Sequence, residues 1–209
     1  MAERRDIDRK ALLDAFDRLG KAAAENGTII EILVYGGSAL MFASNFRYST
    51  GDVDIASLGD SKPEWFDAAV AEIAKDMGFQ EEENWLNDAV DFHLSRLATK
   101  DDDHWLYSTF PRIGESEGIR VFVPTAEYML ALKLKAMRVL DPSKGEQEKR
   151  DIQNLLEVNS VRDIESAMEI LGKYFPVSAK HDDKRFLMKQ LFNFERSEDD
   201  APFYPVRGL

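Results

Sequence analysis

The chain has 209 residues, 32% of them charged, no cysteine and a formal net charge of −12. That length predicts one domain, or one domain with a helical extension, with a core large enough to stand without covalent staples. The lack of cysteine excludes disulfides and thiolate metal sites, and the acidic balance argues against broad contact with a nucleic-acid backbone.

The N-terminus, MAERRDIDRKALLDAF, is charged from the start and carries no apolar signal core. No later stretch reaches the about 18 apolar residues of a membrane span. These features predict a cytoplasmic protein. Residues 7–25 read as an amphipathic helix with Ile7, Ala11, Leu12, Ala15, Phe16 and Leu19 on one face, ended by Asn26-Gly27. TIIEILVY is rich in β-branched residues and reads as a buried strand. Gly36-Gly37 turns the chain, and Ser38 is the predicted N-cap of a helix ALMFASNF. DVDIA is a second strand. Ser61 and Pro63 start a helix that runs to about Met77 and stops at Gly78. Residues 80–118 are acidic with scattered aromatics, and DAVDFHLSRL fits strand or helix. GIRVFVP is a short strand, after which Thr125 caps a helix AEYMLALKLKAMRVL, broken by DPSKG. Helices follow at about 147–158, 161–173 and 180–195. The pattern predicts an α/β (α+β) core over 1–125, a helical region over 126–196 and an irregular tail over 197–209.

The chemistry concentrates between the first two strands. On a strand, Asp52 and Asp54 point to one face and Val53 to the other. Two carboxylates that close repel each other unless a cation lies between them, and Mg²⁺ or Mn²⁺ takes one or two carboxylates together with phosphate oxygens. Gly36 and Gly37 let a phosphate approach the backbone, the following helix N-terminus offers free N–H groups, and Ser38 adds a hydroxyl. Taken singly, Gly-Gly after a strand is commonly a tight turn and Asp-x-Asp commonly a solvated face. In this order they form a cradle for a nucleoside triphosphate with its metal.

The stretch GGSALMFASNFRYSTGDVDIA resembles the signature of the nucleotidyltransferase superfamily, the polymerase-beta-like fold. It resembles more closely the bacterial AbiEii-type nucleotidyltransferases, associated with abortive infection and toxin–antitoxin pairs. RYSTGDVDI resembles that family's Arg…Thr…Asp-x-Asp approach, with the arginine one residue further from the first aspartate. NWLNDAV resembles a subgroup motif, and VPTAEYMLALKLKAMR with EKRDIQNLLE resembles the family's lysine helix and downstream Arg-Asp. The resemblance spans roughly residues 28–157. It implies a small mixed sheet flanked by helices, with a C-terminal helical bundle. It implies Gly36, Gly37, Ser38, Arg47 and Lys133 at the nucleotide, and Asp52 and Asp54 at Mg²⁺. It further implies Asp91 as a third carboxylate, with Asp88 as runner-up, and Asp151 orienting the lysine or the acceptor. Asn154 stands where the family often has a second acid.

The implied reaction moves a nucleoside monophosphate from an NTP to a hydroxyl of RNA, especially tRNA, or of a protein, with a cognate antitoxin as a further partner. Two rival readings stand beside it. One is an inactive nucleotidyltransferase-like binding module or regulatory partner. The other is a small-molecule, aminoglycoside-type transferase, whose cationic acceptor would suit an acidic surface.

Other polar residues carry weaker signals. Lys133 lies beside the apolar stripe of its helix, where a charge needs a phosphate or carboxylate partner, with Asp151 the candidate. Lys135, about 200° further round, faces away. His93, His104 and His181 have no zinc spacing and read as surface or partly buried histidines. Trp85, Trp105 and Tyr107 suit core packing more than base stacking. Arg138, Lys144, Lys149 and Arg150 meet an acidic acceptor or pair with Glu146 and Glu148.

Overall fold

The computed structural model describes residues 7–57, 62–79, 85–114, 116–180, 182–192 and 201–205. Among them it holds a five-stranded mixed sheet, a two-stranded ribbon and eight α-helices. No described helix is long and apolar enough to cross a membrane. The described chain divides into two compact units. The first runs to Pro124, apart from two excursions at Ser44–Phe46 and His93–Asp103; the second takes those excursions and everything from Thr125 onward. The chain passes between the units at Pro124–Thr125 and also at both excursions.

In the first unit, β1 (Ile7–Asp8) leads into α1 (Arg9–Glu25). The predicted helix began at Ile7; the chain instead pairs Ile7 and Asp8 with β3 (Ser49–Thr50). Asp8 then serves as N-cap, its carboxylate accepting from the Ala11 N–H at 2.7 Å. The buried face of α1 carries Leu12, Ala15, Phe16, Leu19 and Ala23, and Gly27, at φ +65°, follows the Asn26 cap as expected. Phe16 meets Phe42 and Phe110 with ring centroids 5.7 and 5.5 Å apart, the aromatic centre of this core. The first unit also holds α2 (Gly36–Ala43) and α3 (Phe66–Met77), the latter closed by Gly78 in the left-handed region.

The sheet runs β5 (Leu86–Asn87), β4 (Val53–Ser57), β2 (Ile30–Val34), β7 (Ile119–Pro124), β6 (His104–Phe110). β2 is antiparallel to β4 and parallel to β7; β5 is parallel to β4 and β6 antiparallel to β7. β6 was not predicted. Its sequence, HWLYSTF, mixes polar and aromatic positions and has no clean alternation, and a register shift between Leu106 and Ser108 explains why. DAVDFHLSRL is neither full strand nor α-helix: Ala89–His93 is a single 3₁₀ turn.

The second unit contains α4 (Lys100–Asp103), α5 (Ala126–Ala136), α6 (Gly145–Val158), α7 (Ile164–Tyr174) and α8 (Asp182–Phe192). Thr125 caps α5 as predicted, accepting from Tyr128 N–H at 3.3 Å. The helix ends at Ala136 and not near residue 140, because Met137 adopts φ 37°, ψ 62° and returns its N–H to the Lys133 carbonyl. α5 packs against α6 and α7. The tail was expected to be irregular, and residues 201–205 form no helix or strand, yet Tyr204 is buried and Asn45 bonds to both Ala201 and Phe203. Ser61, His181, residues 193–195 of the last predicted helix and the rest of the tail lie outside the described residues.

Candidate functional site

The first unit builds its site where β2 meets α2. β2 delivers Tyr35, whose N–H donates to the Asp54 carbonyl at 2.9 Å and ties the strand end to the neighbouring strand. Gly36, at φ +62°, then turns the chain into α2. A side chain there would be strained, and it would also collide: a Cβ on Gly36 would lie 2.6 Å from Asp54 Oδ2. A Cβ on Gly37 would lie 2.9 Å from Thr50 Oγ1 and 3.1 Å from Arg47 Nη2. The two missing side chains therefore let a carboxylate, a hydroxyl and a guanidinium close over the first turn of a helix. The N–H groups of that turn have no intrahelical acceptor, and the helix dipole is positive there.

The loop between α2 and β4 is shaped by its own side chains. Arg47 Nε donates to the Ser49 carbonyl at 2.8 Å, and Thr50 Oγ1 donates to the Asp52 carbonyl at 2.9 Å. Asp52 stands just before β4, and Asp54 lies within it. Burial alternates through half-buried Asp52, buried Val53, half-buried Asp54 and buried Ile55, the period of two that sets both aspartates opposite the core face. Ser38 departs from expectation. It is not an N-cap, because α2 begins two residues earlier. It is fully buried, and its hydroxyl donates back to the Tyr35 carbonyl at 2.8 Å. The hydroxyl of Ser38 is therefore engaged within the chain and does not line the mouth of the site.

The third carboxylate is also corrected. Among the described residues, no three His, Cys, Asp or Glu side chains gather to hold a metal, so neither Asp91 nor Asp88 completes a set with Asp52 and Asp54. Asp88 is turned to Lys62 at 3.0 Å, and that hydrogen bond holds its carboxyl below the ordinary carboxylate range. Asp91 belongs to the 3₁₀ turn after β5, where desolvation first, and then the charge of Asp88, raises its carboxyl. The residue beside Asp54 on the adjacent strand is Asn87.

Lys133 and Asp151 lie in the second unit. Lys133 on α5 donates to Asp151 Oδ2 at 2.9 Å and to Glu148 Oε2 at 2.5 Å, and all three side chains are buried. The predicted Lys133–Asp151 pairing is present. Glu148, read earlier as a partner for exposed basic residues, is a second anchor; it precedes Asp151 by three residues and so shares its face of α6. Gln147 Nε2 donates to Asp151 Oδ1 at 2.9 Å. Arg138 Nε is 3.8 Å from Glu148 Oε1, too long for a hydrogen bond, so that contact is electrostatic. Lys149 pairs with Glu146 at 2.6 Å, the bland alternative for the basic cluster. Lys135 donates to the His93 carbonyl at 2.7 Å and stands over the Phe175 ring, so it is no free surface charge.

Two side chains that shape these two clusters carry roles that the sequence reading did not give them: Asn87 through strand register and Glu148 through its spacing from Asp151. Thr50 entered only as the threonine of the Arg…Thr…Asp-x-Asp resemblance, and loop geometry gives it its role. Among the aromatics, Trp85 is core, its indole N–H donating to the Val70 carbonyl at 3.0 Å, and Tyr107 stacks on Phe42. His104 is buried and meets the Tyr35 hydroxyl at 2.9 Å. No protein-family model, curated protein or solved structure matches the chain.

Proposed function

We propose that the chain is a Mg²⁺-dependent nucleotidyltransferase of the polymerase-beta-like class, moving a nucleoside monophosphate from an NTP to a hydroxyl of RNA or protein. The observation that carries the reading is the approach of Asp54 to Gly36. A carboxylate held against a helix N-terminus by a glycine at positive φ is an arrangement that only glycine permits. The residues fit a single Mg²⁺ held jointly with phosphate, since that ion takes one or two carboxylates, and Asp52 and Asp54 supply two. They do not fit a site of three carboxylates. When bound, the metal supplies charge neutralisation for the phosphates.

In this reading the half-buried Gly36 and Gly37 and the α2 dipole receive phosphate oxygens. Arg47, fixed through Nε to Ser49, sets a positive charge beside Gly37. Thr50 holds the Asp52 backbone in place. The acceptor hydroxyl oxygen bonds to the α-phosphorus as the bond to the bridging oxygen breaks, pyrophosphate leaves, and the hydroxyl proton passes to water. The proposal stands on the first unit alone, because Lys133 and Asp151 already satisfy one another in the second. Calorimetry with each NTP tests it. Binding is expected to require Mg²⁺ or Mn²⁺ and to weaken about 100-fold in Asp54→Asn, a loss of about 2.7 kcal/mol. Equal affinity with and without metal would defeat the proposal.

A specific observation favours a second reading, an inactive binding module: the strand beside Asp54 presents Asn87 and not a carboxylate. Incubation with each labelled NTP, metal and total tRNA, followed by gels of RNA and protein, separates the two. Label on either macromolecule supports the transferase; metal-dependent binding without any transfer supports the module.

A further inference from the structure

We infer that Asn87 limits this site to one tightly held divalent ion per bound nucleotide, and that a single substitution at this position opens a second. The inference rests on the nucleotide-binding reading above.

The parallel register pairs Val53 with Leu86 and Asp54 with Asn87. Paired residues on adjacent strands share a face. Burial agrees: Val53 and Leu86 are buried on the core side, and Asp54 and Asn87 are both half-buried on the other. Asn87 is thus the residue that the next strand sets beside the Asp54 carboxylate.

Its side chain is a neutral amide. Oδ1 of Asn87 accepts the Ala89 N–H at 3.1 Å, opening the 3₁₀ turn. A backbone N–H can only donate, so it fixes which end of the amide faces it. The oxygen, the one atom of the amide able to ligate a hard cation, already accepts from that turn, and unlike a carboxylate it brings no charge to a cation.

Asp88, the next residue, does not make up the difference, because Lys62 holds its charge at 3.0 Å. The local ligand count is therefore two carboxylates. Mg²⁺ binds through one or two carboxylates with phosphate and water filling the rest of its octahedron, so two suffice for one ion with a triphosphate. A second ion at the same face has no further carboxylate to neutralise it, and its affinity falls with the missing charge.

The test is a Mn²⁺ titration of the full chain, read by the electron paramagnetic resonance of free Mn²⁺, with saturating α,β-methylene analogues of ATP, GTP, CTP and UTP in turn. Wild type is expected to take up one Mn²⁺ per chain with the analogue it binds. Asn87→Asp is expected to take up a second, and Mn²⁺ should raise its melting temperature more than that of wild type. Asn87→Ala, which removes the amide without adding charge, is expected to remain at one. Two tightly bound ions in wild type, or an unchanged titration in a folded Asn87→Asp, would overturn the inference while leaving nucleotide binding intact. No Mn²⁺ uptake by wild type with any analogue would overturn the nucleotide-binding reading itself.

Discussion

The two units handle charge in opposite ways. In the first, Asp52, Asp54, Asn87 and Arg47 are half-buried around a helix N-terminus, next to glycines that keep the backbone bare. In the second, Lys133, Glu148 and Asp151 are buried and answer one another; Gln147 bonds to Asp151, while Glu148 Oε1 has no hydrogen-bond partner among the described residues and meets only the charge of Arg138 at 3.8 Å. A buried lysine between two carboxylates already has its ligands. Polar residues in an apolar setting are therefore no single class, because burial separates a sealed ion cluster from half-buried polar groups that solvent and solutes reach.

The largest expected effect breaks the sealed cluster. Lys133→Met would leave Glu148 and Asp151 buried without their cation, and breaking a buried pair by removing one partner costs about 3–5 kcal/mol. Urea unfolding should show that loss. A stability within about 1 kcal/mol of wild type would mean that the cluster is not sealed as described. Retained metal-dependent nucleotide binding in a folded sample of this variant would sharpen the contrast between the units.

Gly36→Ala comes next and acts on the open site. It forces a Cβ into the left-handed region, at about 1–2 kcal/mol, and drives it against Asp54 Oδ2. Both chemical stability and nucleotide affinity should fall together. Gly27→Ala is the control: its φ is also positive, at +65°, but no atom lies within 4 Å of the added carbon, so stability alone should suffer.

Thr125→Ala removes the cap of α5, the helix that carries Lys133, and should cost about 1 kcal/mol in thermal or urea unfolding. No change at all would show that the Thr125 hydroxyl contributes nothing to the helix start.

The smallest effect concerns Lys184 on α8. Desolvation pulls its pKa below the ordinary 10.5; the charge of Asp183 opposes this and that of Lys135 adds to it, and the ammonium donates to the Lys135 carbonyl at 2.6 Å. A lysine with a lowered folded pKa binds fewer protons folded than unfolded, so stability rises with pH between that lowered value and about 10.5. Lys184→Met removes this dependence. Melting curves should show wild type gaining on the variant between pH 7 and pH 10; a constant gap would refute the shift.

Much of the fold was legible because local rules and tertiary structure agree. The stripe Leu12, Ala15, Phe16 and Leu19 requires a helix, TIIEILVY a buried strand, Thr125 a cap and Gly78 a stop, and each is found in place. The disagreements have local causes. β6 hid because an irregular register spoiled its alternation, and α5 stopped early because Met137 takes a left-handed conformation that no propensity foretells. Within the candidate site, the shared face of Asp52 and Asp54 was readable because the period of two of a strand sets it. Ser38 was misread because an N-cap and a third helical residue differ only in where the first turn begins, and Gly36 moved that point two residues back.

The sequence by itself determined the α/β character, the order of most elements, the Gly-Gly and Asp-x-Asp pairing and the need of Lys133 for a counter-charge. These follow from period, propensity and charge, which act over a few residues. Only the tertiary structure decided which side chains stand beside them. That Asp54 packs against Gly36 and that Asn87 flanks Asp54 are matters of strand register; that Lys62 holds Asp88 and that Glu148 shares Lys133 are matters of packing. Register and packing are set by the burial of whole faces, a sum over the core that no short stretch of sequence contains.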